Sequence, residues 1–196
     1  MNVLVLAEHD NSELKSSTLN TISAASQIGE VSLLVAGSEC STVVETAKKI
    51  SGVSRVLLAD HQNYKHSLAE NISPLIAKIK SEYTHILAPA TANGKNILPR
   101  VAALIDTAQI SEIVEIIDQN TFVRPIYAGN ALATVRALDP VKVITIRTTS
   151  FDAAEISDNI ATVEKIDHAT DPQLSKYLQS KLTESERPEL TSAKIV

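Results

Sequence analysis

Asn2-Val3-Leu4-Val5-Leu6-Ala7 runs directly into Glu8-His9-Asp10-Asn11. A short, continuous apolar run bounded by polar turn residues reads as a strand buried on both faces. The turn that follows contains no glycine. A dinucleotide-binding turn at this place needs glycines so that backbone can approach a pyrophosphate. This opening therefore predicts a parallel α/β sheet whose first turn does not bind a dinucleotide in the usual way.

Similar runs recur outward from it. Glu30–Ala36, Ser54–Ala59 and Thr84–Pro89 read as further strands. Between them, Leu14, Thr18, Leu19, Ile22 and Ala25 mark one face of a helix over 12–28, and Val43, Val44, Ala47 and Ile50 mark a second. Leu68, Ile72, Leu75, Ile76 and Ile79 give 67–83 the spacing of an amphipathic helix, with Pro74 expected to kink it or to start a new segment at Ser73. A fourth helix is expected over Asn96–Ile105, since Pro99 is best tolerated in a first turn. After Asp106 the pattern changes. Residues 108–118, 121–127, 131–138 and 141–147 read as successive strands joined at Asp118-Gln119-Asn120, Gly129-Asn130 and Asp139-Pro140. Ala161–Ile166 adds a short strand, and Leu174–Leu182 fits helix or strand equally. The expected architecture is a three-layer, Rossmann-like α/β sheet, parallel in the first half, with antiparallel strands added at one side by the second.

Composition narrows the function. The chain has 196 residues, 44% hydrophobic and 21% charged, which suits one globular core. Its net charge of −5 and 3% aromatic content argue against nucleic-acid binding. One cysteine excludes a disulfide framework. No basic leader or membrane-length apolar run is visible, so a cytoplasmic chain without membrane insertion is expected; a processed mitochondrial-matrix protein would read the same. Residues 1–150 carry 13 basic and 14 acidic side chains, whereas residues 151–196 carry 5 and 9. A near-neutral body is therefore expected to lead into an acidic, solvated tail. The domain itself is expected over 1–182, with a linker and the opening of a further strand over 183–196. The closing Ala193-Lys194-Ile195-Val196 reads as the first residues of a strand belonging to a further domain.

The candidate binding site is Ala88-Pro89-Ala90-Thr91-Ala92-Asn93-Gly94-Lys95-Asn96, a strand-to-helix junction. Gly94 allows close approach, Lys95 supplies positive charge and a helix N-terminus favours an anion. Thr91, Asn93, Gly94, Lys95 and Asn96 are thus candidates for a nucleotide-like loop, but a lone Gly-Lys is a weak motif and ordinary turn chemistry favours a structural or interface loop. His9, His61, His66, His85 and His168 lack metal-ligand spacing. Cys40 lies near a helix start without a partner base, and no catalytic constellation is visible. Arg124, Tyr127, Asn130 and Arg136 on the later strands and turns are interface candidates.

Several segments together resemble the alpha subunit of the electron transfer flavoprotein family. They are Pro89-Ala90-Thr91, Gly94 to Ala103, Thr121 to Ala131, Ile146-Arg147-Thr148-Thr149-Ser150-Phe151, and Glu186-Arg187-Pro188-Glu189-Leu190-Thr191. The resemblance covers the whole chain. It implies the N-terminal domain of that subunit, a non-catalytic scaffold that meets a beta subunit. It further implies an intact heterodimer that carries electrons from flavoprotein dehydrogenases, such as acyl-CoA dehydrogenases, to a quinone reductase. FAD would be held by a C-terminal domain absent from this sequence, with none expected in residues 1–196. The beta subunit's AMP phosphate loop would correspond to residues 90–96, but the alpha subunit is not expected to hold AMP. A free-standing adenine-nucleotide-binding module is the alternative. The uncovered interface is expected to favour self-association through the 121–138 strands.

Overall fold

A computed structural model describes residues 1–158, 160–169 and 171–181. The expected connector over 183–196 lies outside those residues. The chain forms β1 (Asn2–Leu6), α1 (Ser16–Ser26), β2 (Glu30–Gly37), α2 (Ser41–Ala47), β3 (Val53–Asp60), α3 (Ala69–Ile79), β4 (His85–Pro89) and α4 (Ala92–Leu104). It continues through β5 (Gln109–Ile113), β6 (Glu115–Asp118), β7 (Thr121–Ile126), β8 (Ala131–Arg136), β9 (Lys142–Ile146) and β10 (Thr162–Lys165).

Seven strands form one sheet in the order β10-β3-β2-β1-β4-β9-β5, and every pairing in it is parallel. Both faces of the central strands are covered, which is why β1, β2 and β4 are almost wholly buried, whereas the edge strand β10 is exposed. Val3, Val5, Leu33 and Val35 point into the core layer beneath α1 and α2; Leu4, Leu6, Leu34 and Ala36 point into the layer beneath α3 and α4. The chain steps from β1 to β2 and β3 in one direction, then returns to place β4 on the other side of β1. Ligands of open α/β sheets sit at such a reversal, beside the carboxyl ends of the two strands.

The expected α/β sheet with antiparallel strands added by the second half is present, and it differs from expectation only in how those later strands divide. β5 and β9 join the parallel sheet, and among the described strands only β6, β7 and β8 are antiparallel, forming a separate three-stranded sheet in that order. Burial explains the division. Val143, Ile144 and Ile146 are buried and are shared between the two core layers, as a central parallel strand requires. β8 alternates half-buried and exposed residues, the mark of a strand covered on one face. The expected strand over 108–118 is interrupted at Val114, just past Glu112, whose φ of +57° turns the chain.

Three helix boundaries also differ. α1 begins only at Ser16, because the Asp10 carboxylate holds the backbone N–H groups of Ser12 and Glu13 in a turn, at 3.0 and 2.8 Å. α3 runs through Pro74 without starting afresh at Ser73. α4 starts at Ala92, four residues before Asn96, so Pro99 stands in its interior on the exposed side. An interior proline costs about 3 kcal/mol in an isolated helix. Here Ile97, Leu98, Val101 and Ala102 are buried on the opposite side and offset it. Residues 174–181, readable as helix or strand, adopt neither.

Candidate functional site

The carboxyl end of β4 leads into α4 through Ala90 and Thr91. Ala90 N–H donates to the Ile146 carbonyl of β9 at 2.8 Å, fixing the junction to the neighbouring strand. Thr91 is the N-cap, and its hydroxyl accepts the Gly94 N–H at 3.3 Å. Asn93 and Gly94 therefore lie inside the first turn of the helix and not in a loop before it. Gly94 is buried, and a Cβ there would run into the Pro89 carbonyl oxygen. The glycine lets α4 sit directly against the end of β4, and that space is filled by protein.

Lys95 is also engaged. Its ammonium pairs with the Glu112 carboxylate, whose second oxygen accepts from the Arg147 guanidinium at 2.7 Å. Arg147 and Lys95 hold the Glu112 carboxyl below the usual carboxylate range. Glu112 reaches this place through its left-handed backbone, and its N–H donates to the buried Thr145 hydroxyl at 2.9 Å. The cluster stitches α4, β5 and β9 together. Glu112 carries no motif, and its position comes entirely from the irregularity in β5. Asn96 is exposed one residue beyond.

Across the strand reversal, the turn after β1 presents acids. The Glu8 carboxylate accepts from the Ser17 hydroxyl at 2.9 Å. Hydrogen bonds from Ser12 and from the Glu13 N–H keep the Asp10 carboxyl far below its ordinary range, so it stays charged. His9 is driven toward its neutral form by burial, and its Nδ1 accepts the Asn11 N–H at 3.1 Å. A glycine-free turn with two fixed carboxylates disfavours a phosphate on this side.

The remaining titratable groups read structurally. Cys40 is buried before α2, and desolvation pushes its thiol up to about 11, the reverse of an activated nucleophile. His85 is fully buried at the opposite end of β4. Its Nε2–H donates to the Gln119 carbonyl at 2.7 Å, leaving Nδ1 to accept from Thr84 Oγ1 at 2.8 Å. It thereby pins the β6–β7 turn to the main sheet, a role the dispersed histidines of the sequence do not announce. Among the described residues no group of acids, histidines and cysteine could hold a metal. A hollow of about 350 Å³ lies at the ends of β3 and β10, between Asp60, Lys165 and Asp167.

The interface candidates fall on the three-stranded sheet, but not on one face. Register pairs Arg124 with Ala133 and Phe122 with Val135, whereas Arg136 pairs with Thr121 and Leu132 with Pro125. By the alternation of a pleated strand, Arg124 shares the inward side with buried Phe122, and Arg136 shares the outward side with Leu132. Arg124 is half-buried, and its Nε has no hydrogen-bond partner among the described residues. Tyr127 is 79% exposed and Leu132 67% exposed, and Asn130 is exposed in the turn between β7 and β8. Tyr127 and Ala128 hold positive φ, at +50° and +55°, which L-residues adopt only under constraint. Among the described residues, no strand pairs with the second edge of β8.

These features define a parallel α/β unit of Rossmann-like topology, with the strand-reversal site closed by its own side chains and an antiparallel flap displayed beside it. A family model for the electron transfer flavoprotein domain matches residues 3–171, and the chain belongs to that family. It is 54% identical over 197 residues to the electron transfer flavoprotein subunit alpha of Pseudomonas aeruginosa, covering 100% of this chain and 64% of that one. It is 50% identical over 210 residues to the mitochondrial subunit alpha of Dictyostelium discoideum, covering 98% of this chain and 59% of that one. The subunit alpha of Paracoccus denitrificans is 45% identical over 197 residues, with 64% of its length covered. The chain thus spans less than two thirds of these relatives. No helix among the described residues is long and apolar enough to cross a membrane.

Proposed function

We propose that residues 1–182 are the N-terminal scaffold and subunit-interface domain of an electron transfer flavoprotein alpha subunit. The whole protein pairs with a beta subunit and carries electrons from flavoprotein dehydrogenases to a quinone reductase through FAD. The flavin belongs to the part of the protein outside this sequence, and this unit neither binds it nor catalyses a reaction. The proposed compartment is the cytoplasm, or the mitochondrial matrix for a processed chain.

The observation that carries this reading is identity near one half to chains named electron transfer flavoprotein subunit alpha, running the full length of the sequence. The site geometry agrees. Gly94 is consumed by helix packing and Lys95 by Glu112, so the junction resembling a phosphate loop works as structure. An edge of β8 and an Arg124 Nε that find no partner among the described residues, with the exposed Leu132 and Tyr127, suit a sheet completed by another subunit.

Titration of this chain with the beta subunit tests it. A complex is expected, and Leu132→Asp combined with Arg136→Glu weakens it by roughly tenfold or more, as loss of an interface anchor does. An unchanged affinity contradicts the assignment of this surface. Tight AMP binding abolished by Lys95→Ala contradicts the scaffold reading and favours a nucleotide module.

A further inference from the structure

Beyond β10 the chain crosses α3 without forming a helix or strand over residues 166–169 and 171–181. Its order there depends on contacts with the body, and those contacts are unequal along its length. At the root, Ile166 N–H donates to the Leu58 carbonyl at 2.8 Å, and its side chain packs against the α3–α4 core layer. Fully buried Tyr64 donates its hydroxyl to the His168 carbonyl at 2.7 Å. Lys78 Nζ on α3 lies 3.1 Å from His168 Nδ1. Next comes a turn: the Asp171 carboxylate accepts the Gln173 N–H at 3.0 Å, and Gln173 holds a φ of +55° beside Pro172.

Past the turn the hold is lighter. Ser175 Oγ donates to Glu70 Oε2 on α3 at 3.0 Å. The Tyr177 ring stacks on His66, centroids 3.6 Å apart and planes within 7°. The Tyr177 hydroxyl bonds Ser180 within the segment at 2.6 Å. Every residue from 171 to 181 is exposed, and Leu174 and Leu178 point outward.

We propose that residues 174–181 are a latch. The tip docks on Glu70 of α3 through Ser175 and on His66, in the turn before α3, through Tyr177, and it pivots at Asp171–Gln173. A segment that, among the described residues, is attached to the body at the surface by one side-chain hydrogen bond and one stacked ring opens without disturbing the core. The root stays in place because it is tied to buried groups. The latch also lies over α3, whereas Phe122 of the three-stranded sheet packs into the opposite core layer. Opening the latch therefore leaves β6–β8 untouched, and the two surfaces work independently.

Limited proteolysis of the 196-residue chain tests this, because trypsin can cut after Lys176 only when the tip is free. Tyr177→Ala is expected to raise that rate by roughly two- to tenfold, the factor by which loss of a ring stack enlarges the open population. Tyr177→Phe, which keeps the ring and loses only the bond to Ser180, is expected to cut at the wild-type rate. The pair Glu70→Cys with Ser175→Cys is expected to cross-link under mild oxidant and to protect Lys176, with the thermal midpoint of the core unmoved. Equal cleavage of wild type and Tyr177→Ala overturns the proposal. So does a cysteine pair that cross-links no faster than Glu70→Cys with Lys181→Cys.

Discussion

Replacing Gly94 with alanine separates the two physical reasons for a glycine at the β4–α4 junction. If Gly94 keeps space open for a ligand, alanine enters that space freely and gains helix propensity, about 1 kcal/mol of added stability. If Gly94 permits helix and strand to touch, the new Cβ meets the Pro89 carbonyl oxygen, with the Ala88 side chain also within reach. The obstacle is backbone at the end of a buried strand and cannot rotate away. Overpacking of this kind costs about 1–3 kcal/mol, and a rigid obstacle favours the upper half of that range. Subtracting the propensity gain leaves a net loss of about 1–2 kcal/mol. In a chain of this size that lowers the thermal midpoint by about 2–8 °C. Urea denaturation followed by circular dichroism should show a lower midpoint at an unchanged slope. Asn96→Ala, exposed in the same helix, controls for propensity and should stabilise by a few tenths of a kcal/mol. A Gly94→Ala protein as stable as wild type, or more so, refutes the packing argument.

Two further outcomes follow from buried groups. Burial lowers the pKa of His85 in the folded chain, so the unfolded chain takes up a proton that the folded chain resists. Stability is fully present above about pH 6.5, the ordinary histidine value, and is lost as the pH falls below it through the folded value. Urea midpoints measured from pH 8 to pH 5 should fall with acid in wild type and fall less in His85→Gln; parallel curves would remove His85 as the cause. Cys40, with its thiol raised to about 11, should not react with a thiol reagent at pH 8 until the protein is unfolded. Rapid labelling of the native chain would contradict its burial.

The central strands were legible because each is buried on both faces and so reads as an unbroken apolar run. Val3 to Leu6 and Ile86 to Ala88 leave little choice. The start of α4 was not legible, because Pro99 argues locally for a first turn, and only the burial of Ile97, Leu98 and Val101 outweighs it. Thr91 as N-cap was the available signal, but without an acid three residues on it is weak. The antiparallel strands were visible as strands and not as a separate sheet, since alternation tells which residues face inward and not which sheet they join. Within the candidate site, Thr91 to Asn96 could be located from sequence. What they do depends on Glu112 and Arg147, which a bulge in β5 and a neighbouring strand bring from far along the chain. The outward and inward placement of Arg136 and Arg124 likewise follows from register, which no local pattern fixes.

The most direct test of the scaffold reading is the visible spectrum of the purified 196-residue chain after incubation with excess FAD and gel filtration. The account predicts a colourless protein peak, with all flavin in the small-molecule fraction. A protein peak carrying flavin in a one-to-one ratio would contradict it.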